Sequence, residues 1–332
     1  MKKQRLLTLF GSICIILISI ALPFMTAHSK PAKPIVLKAV TLLKRGHPIN
    51  YHEIWIAEQV KKRSNGELVI KIIGGSEAIP AFEQTDALLR GVIDFYSPGS
   101  SYIQTVWPEA IVFPLSRLTP TQERERGAFD LLRESAKQHG LYYLGRSVYP
   151  RGYYMYLNVP VKTPEDLRGI KLRGAPIYTR FHKALGVSMV TISFREVYTA
   201  VERGVIDGYC WPPSICDYRL HEVTKYMIKH PFYGANILVA MNLDSWNRLP
   251  KHLQRLLEEV VEEQETGLEQ RWRDLWKGEL KNIKAGGVKF IEFSPDDAKR
   301  YVNLAYDEAW KEVIEKSPKY GPKLKEIMAS GD

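Results

Sequence analysis

The sequence predicts an α/β protein of two lobes, and three observations predict it. Short apolar strands alternate with helical stretches from residue 35 onward, the order that gives a mostly parallel sheet covered by helices. The chain has 332 residues, more than a single hydrophobic core usually serves. One long helical pattern, 250–285, would span about 50 Å. That is longer than one lobe needs, so the chain is expected to cross between lobes more than once and to form a hinged clamshell. The boundaries read as 30–150 plus 237–276 for the first lobe and 151–236 plus 277–332 for the second.

The elements follow in order. Lys2, Lys3 and Arg5 precede a nearly unbroken apolar run, 6–24, and Ala27-His28-Ser29 places small residues where a signal peptidase reads. Residues 1–29 therefore read as a cleaved signal peptide and the protein as periplasmic. An uncleaved anchor is the alternative, since about 19 apolar residues just span a bilayer. Cys14 has no lipobox around it. A first strand covers 35–43, and a helix covers 51–63 and stops at Ser64-Asn65-Gly66, where Gly66 accepts positive φ. A second strand alternates over 67–73, a helix runs 82–90 to Gly91, and a third strand covers 92–96. A helix over 120–139 leads to a strand at 142–148.

The second lobe begins near Arg151 with a strand at 153–158. Thr163 caps a short helix with Pro164 in its first turn. A strand at 170–173 ends on Arg173, a helix runs to Leu185, another opens at Phe194-Arg195-Glu196, and an apolar strand covers 204–208. In the long pattern, Glu258, Glu259, Glu262, Glu263 and Glu265 read as a solvated face, and Trp272 and Trp276 as core-facing neighbours. No internal repeat is evident.

Composition narrows function. The net charge is +10, about +7 once the three cations of 1–29 are gone, and the positives are scattered. That argues against a nucleic-acid footprint and is compatible with an anionic ligand or with a merely soluble surface. Cys210 and Cys216 close a small loop, and a disulfide there stays open. Neither has zinc-ligand spacing, and no metal or cofactor is expected. There is no GxSxG elbow, HExxH, P-loop or GxGxxG. His47 and His52 read as solvated loop and helix residues, and His182, His221 and His230 show no ligand spacing. An arginine at one strand end and an aromatic residue at another suit a small anion but do not transform it, so no enzyme is expected.

The run Lys162-Thr163-Pro164-Glu165-Asp166-Leu167-Arg168-Gly169-Ile170-Lys171-Leu172-Arg173 is followed by Ala184-Leu185-Gly186-Val187 and by the stretch from Phe194 to Gly208. With Ala87 to Asp94 and Trp107-Pro108-Glu109-Ala110, these resemble the solute-binding proteins of tripartite ATP-independent periplasmic (TRAP) transporters, the DctP-like family, over nearly the whole chain beyond residue 29. The resemblance implies two lobes closing over one organic acid and delivery to a membrane permease driven by an ion gradient. It also implies that Arg173 pairs with the ligand carboxylate, that Arg151 is a second ligand arginine and that Phe194 packs on the ligand. A guanidinium fork fits two carboxylate oxygens, and strand ends at a crevice are where α/β sheets place ligands. Three positions after Asp207-Gly208, sialic-acid-type members carry Asn; here Trp211 stands there, as in keto-acid-type members. Those hold a metal through a neighbouring acid, but the neighbour here is Cys210, and hard cations prefer oxygen. Trp211 would dry and shrink the pocket, favouring a small or partly apolar carboxylate. Ser97, Gly99 and Asn236 complete the candidate set. A binding protein serving an ABC importer or a sensor is the alternative. A monomer is expected.

Overall fold

The computed structural model describes residues 33–330, apart from 193 and 268. The segment 1–29 and the side chains of Arg151, Trp272 and Trp276 lie outside the described part. The strands are β1 (Ile35–Val40), β2 (Leu68–Gly74), β3 (Phe95–Tyr96), β4 (Leu141–Leu157), β5 (Lys171–Arg173), β6 (Ser188–Val190), β7 (Gly208–Trp211), β8 (Tyr226–Ile228), β9 (Phe232–Asn242) and β10 (Lys289–Ile291). Their order is β2-β1-β3-β9-β4-β7-β5-β6, with β8 on β4 and β10 on β8. β1 lies parallel between β2 and β3, and β5 lies parallel between β6 and β7. The long antiparallel pair β4 and β9 joins these two parallel halves. This is a two-lobed mixed α/β fold, as the alternation of elements predicts.

β4 is one strand where the sequence suggests two, 142–148 and 153–158. Its pairing with β9 shifts register between Tyr149 and Gly152 and again before Tyr153. Gly152 is required there: a Cβ would stand 2.1 Å from the Tyr233 carbonyl oxygen, and Tyr233 itself has φ +51°. The two backbones press together at the bend, and the strand continues through it.

Each parallel half is closed by the same device. Arg90-Gly91-Val92-Ile93-Asp94 and Arg203-Gly204-Val205-Ile206-Asp207 are the same pentapeptide, a repeat missed in the sequence. Gly91 and Gly204 end their helices at φ +70° and +68°, a conformation that favours glycine. Asp94 then accepts from the Lys38 N–H at 2.8 Å while its own N–H donates to the Lys38 carbonyl at 2.7 Å. Asp207 does the same to Lys171, at 2.8 and 2.7 Å. Residues 204–207 are consequently a turn, and the strand expected at 204–208 begins only at Gly208.

The helix expected over 120–139 is two helices, Pro120–Glu125 and Ala128–Gln138, parted by Gly127 at φ +80°. The long pattern is helical as Lys251–Gly267 and Glu269–Ala285. The first part packs on the helix Tyr51–Arg63 and on β4, and the second reaches Ile215–Tyr218 in the other lobe. Its glutamates are not simply solvated. Glu258 accepts from the Tyr142 hydroxyl at 2.8 Å, and Glu263 pairs with Arg63 at 2.6 Å. Glu265 is buried, held by Arg124 at 2.7 Å and by the Arg146 N–H at 2.9 Å. Burial raises its carboxyl to about 7 against the pull of Arg124. The C-terminal helix Gly321–Met328, which the sequence boundaries assign to the second lobe, packs among residues 108–138: Arg117 N–H donates to the Met328 carbonyl at 3.0 Å and Tyr320 to Glu134 at 2.8 Å.

Candidate ligand cleft

Arg173 is the last residue of β5 and is only 2 % exposed. Its Nη1 donates to the Tyr178 hydroxyl at 3.1 Å, its Nε donates to the Ile192 carbonyl at 3.3 Å, and its guanidinium lies 5.7 Å from the centre of the Phe194 ring. Tyr178 passes its own hydrogen to the Cys210 carbonyl at 3.2 Å. Burial lowers the Arg173 pKa, but Tyr178 and Tyr102 beside it more than offset this, and the net shift is upward. Among the described residues no carboxylate pairs with this buried cation.

Arg173 opens into a cavity of about 60 Å³ between the lobes. From one side come the loop after β1, with Leu42 and His47, and the segment after β3, with Gly99 and Tyr102. Across from them stand Trp211, Asp217 and Tyr218, and Asn236 contributes from β9. The walls are mostly apolar. Trp211 stacks on Phe194 with ring centres 3.5 Å apart, and the Tyr218 ring meets Phe194 edge-on at 4.8 Å. His47 stacks on Tyr218 at 5.0 Å across the cleft.

Of the residues singled out in the sequence, Arg173, Trp211, Gly99 and Asn236 face this cavity. Phe194 lies behind Trp211 as its support. Cys210 points to the opposite face of β7, because side chains alternate along a strand; its thiol sits 3.3 Å from His182 Nε2 and burial raises its pKa. Ser97 is buried, with its hydroxyl unpartnered among the described residues, and does not reach the cavity. Cys210 and Cys216 are free thiols. The histidine readings change most. His52 is buried, and His47 is a cavity wall rather than a solvated loop residue. Tyr178, Tyr102, Tyr218 and Asp217 were missed, since only the fold brings their loops to Arg173. Tyr178, five residues after the strand-end arginine in a Pro-initiated turn, was the one local signal.

The family model for bacterial extracellular solute-binding protein, family 7 (DctP), matches residues 43–317. The chain belongs to this family. As a solute-binding protein it bears out the resemblance read from the 162–208 region. It is 25% identical over 298 residues to the C4-dicarboxylate-binding periplasmic protein of Rhodobacter capsulatus, with 85% of each chain covered. It is 23% identical over 263 residues to the monocarboxylate 2-oxoacid-binding periplasmic protein of Nostoc sp., covering 76% of this chain and 72% of that one. Its fold matches that of a TRAP periplasmic solute-binding protein from Desulfovibrio salexigens solved with orotic acid, at a TM-score of 0.79 and 23% identity over 88% of this chain and 96% of that one. No helix among the described residues is long and apolar enough to cross a membrane.

Proposed function

We propose that this protein is a periplasmic receptor that captures a small organic acid and delivers it to a TRAP-type permease driven by an ion gradient. One observation carries the reading. A buried guanidinium without a carboxylate partner is costly, and Arg173 lines the cleft with no carboxylate paired to it among the described residues. The ligands named for the relatives (a C4-dicarboxylate, a 2-oxoacid and orotic acid) are all carboxylates. On this reading the acid pairs with Arg173, lies against Trp211 and touches Gly99 and Asn236, with Arg151 at the lobe crossing as a second cation. Residues 1–29 are removed on export, the receptor is a monomer, and it has no catalytic step. The lobes divide near residues 150 and 236, and ligand binding favours their closure because the acid contacts both.

A thermal-shift screen against carboxylates, sugar acids, amino acids and neutral sugars tests this. A ligand at 100 times its Kd stabilises the fold by about 2.7 kcal/mol, a clear melting shift. Arg173→Ala should weaken the best carboxylate by about 30-fold to several thousand-fold, since losing one partner of a buried charge pair costs about 2–5 kcal/mol. Arg173→Lys should also weaken it, because the fork is lost. Shifts from neutral solutes alone, untouched by these substitutions, would overturn the reading.

A further inference from the structure

The cleft has a second polar end that Arg173 does not explain. His47 Nδ1 accepts the Ile49 N–H at 3.2 Å, which places the ring hydrogen of the neutral imidazole on Nε2. That Nε2 is buried and has no hydrogen-bond partner among the described residues. Asp217 Oδ2 stands 4.0 Å from it, from the opposite lobe, beyond hydrogen-bond reach. The Tyr218 hydroxyl is likewise buried and unpartnered among the described residues. A donor and an acceptor thus face each other across a gap that one oxygen bearing a hydrogen can bridge. Between this end and Arg173 lies an aromatic floor: Trp211 on Phe194 beside the guanidinium, then Tyr218 at 6.1 Å from Trp211, then His47.

We infer that the ligand is a carboxylate with a flat apolar body whose far end carries a hydroxyl, held between His47 and Asp217. The inference rests on the carboxylate reading above and adds the ligand's other end. The hydroxyl accepts from His47 Nε2 and donates to Asp217 Oδ2, and its body lies on Trp211 and Tyr218. Burial lowers the His47 pKa to about 4, so the imidazole is neutral and keeps this donor at ordinary pH.

Matched pairs test it in equilibrium titrations: benzoate, phenylacetate and phenylpropionate, each against its para-hydroxy form. At the length that fits, the hydroxy form should bind about tenfold more tightly or better, the range of a hydrogen bond to a charged group. His47→Phe keeps the stack on Tyr218 and removes the donor, and Asp217→Ala removes the acceptor. Either should shrink the preference to less than about threefold. Equal or better binding of the plain acid at every length, as when water already fills the gap, overturns the inference. So does a preference that survives both substitutions, or binding of other carboxylates when no pair member binds. In each of these cases Arg173→Ala still weakens binding if the receptor reading holds. Failure of the unaltered protein to bind any carboxylate would instead sink that reading.

Discussion

Glu53 shows how far a single side chain departs from its exposed chemistry. It sits in the first turn of the helix Tyr51–Arg63, fully buried, and neither carboxyl oxygen has a partner among the described residues. Burial raises its pKa well above 4.5, so the folded protein holds a proton there that the unfolded chain releases. The native state therefore binds more protons above pH 4.5, and this group's contribution to stability is lost as pH rises toward the folded pKa. Glu53→Gln, which mimics the protonated acid, should match the wild type near pH 4 and exceed it by about 1 kcal/mol or more at pH 7, since a tenfold change in proton affinity is worth about 1.4 kcal/mol. Melting curves across that pH range check this; a gain that does not grow with pH would mean the carboxylate is paired. Nothing in the sequence marks Glu53 as different from Glu58, because helical periodicity does not say which face meets the neighbouring lobe wall. Arg173 was legible because strand, arginine and turn are adjacent in sequence. His47 and Asp217 were not, because two loops 170 residues apart must fold before their pairing exists.

At the scale of elements, β4 is tied to the first lobe by ions rather than by grease alone. Arg146 and Glu123 are both buried, and the guanidinium donates twice to the carboxylate, at 2.9 and 2.5 Å, with a third bond to the Leu118 carbonyl at 3.1 Å. Arg124 on the same short helix reaches Glu265 on the helix Lys251–Gly267. Removing one partner of such a pair leaves a buried charge and costs about 3–5 kcal/mol, while replacing both with apolar groups is often neutral. Arg146→Met should then lower stability by roughly that amount, and Arg146→Met with Glu123→Leu should recover most of it. Denaturant unfolding of the two variants decides the point; a double variant as weak as the single one would mean the pair holds the strand by geometry. The sequence shows Glu265 as one of five glutamates on a polar helix, and only the third dimension separates it from the exposed ones. The strand and helix order was legible through local periodicity and glycine stops. The unbroken β4 was not, because Pro150-Arg151-Gly152 reads locally as a turn and is carried through by pairing with β9.

Across the whole molecule the two lobes also touch at the rim of the cleft. His47 stacks on Tyr218, and Arg195 Nη2 donates to the Ser76 hydroxyl at 2.7 Å from the opposite rim. Arg195 immediately follows Phe194, which backs Trp211, so the rim contact and the cavity floor belong to one short segment. Two lobes were legible from chain length and the long helical pattern, yet these rim contacts join residues with no shared local pattern. A ligand shifts such a clamshell only by its differential affinity for the closed form, and each rim contact adds to that difference. A typical intramolecular hydrogen bond contributes about 0.5–1.5 kcal/mol net. Ser76→Ala should therefore speed release of the tightest carboxylate from the screen by about 2- to 12-fold, with association changed far less, since affinity differences within one interface lie mostly in dissociation. Stopped-flow release of bound ligand reads this directly. An unchanged release rate would show that the Arg195–Ser76 bond adds nothing to closure. His47→Phe, which preserves the stack on Tyr218, would then leave release of a plain carboxylate unchanged, whereas His47→Ala would hasten it.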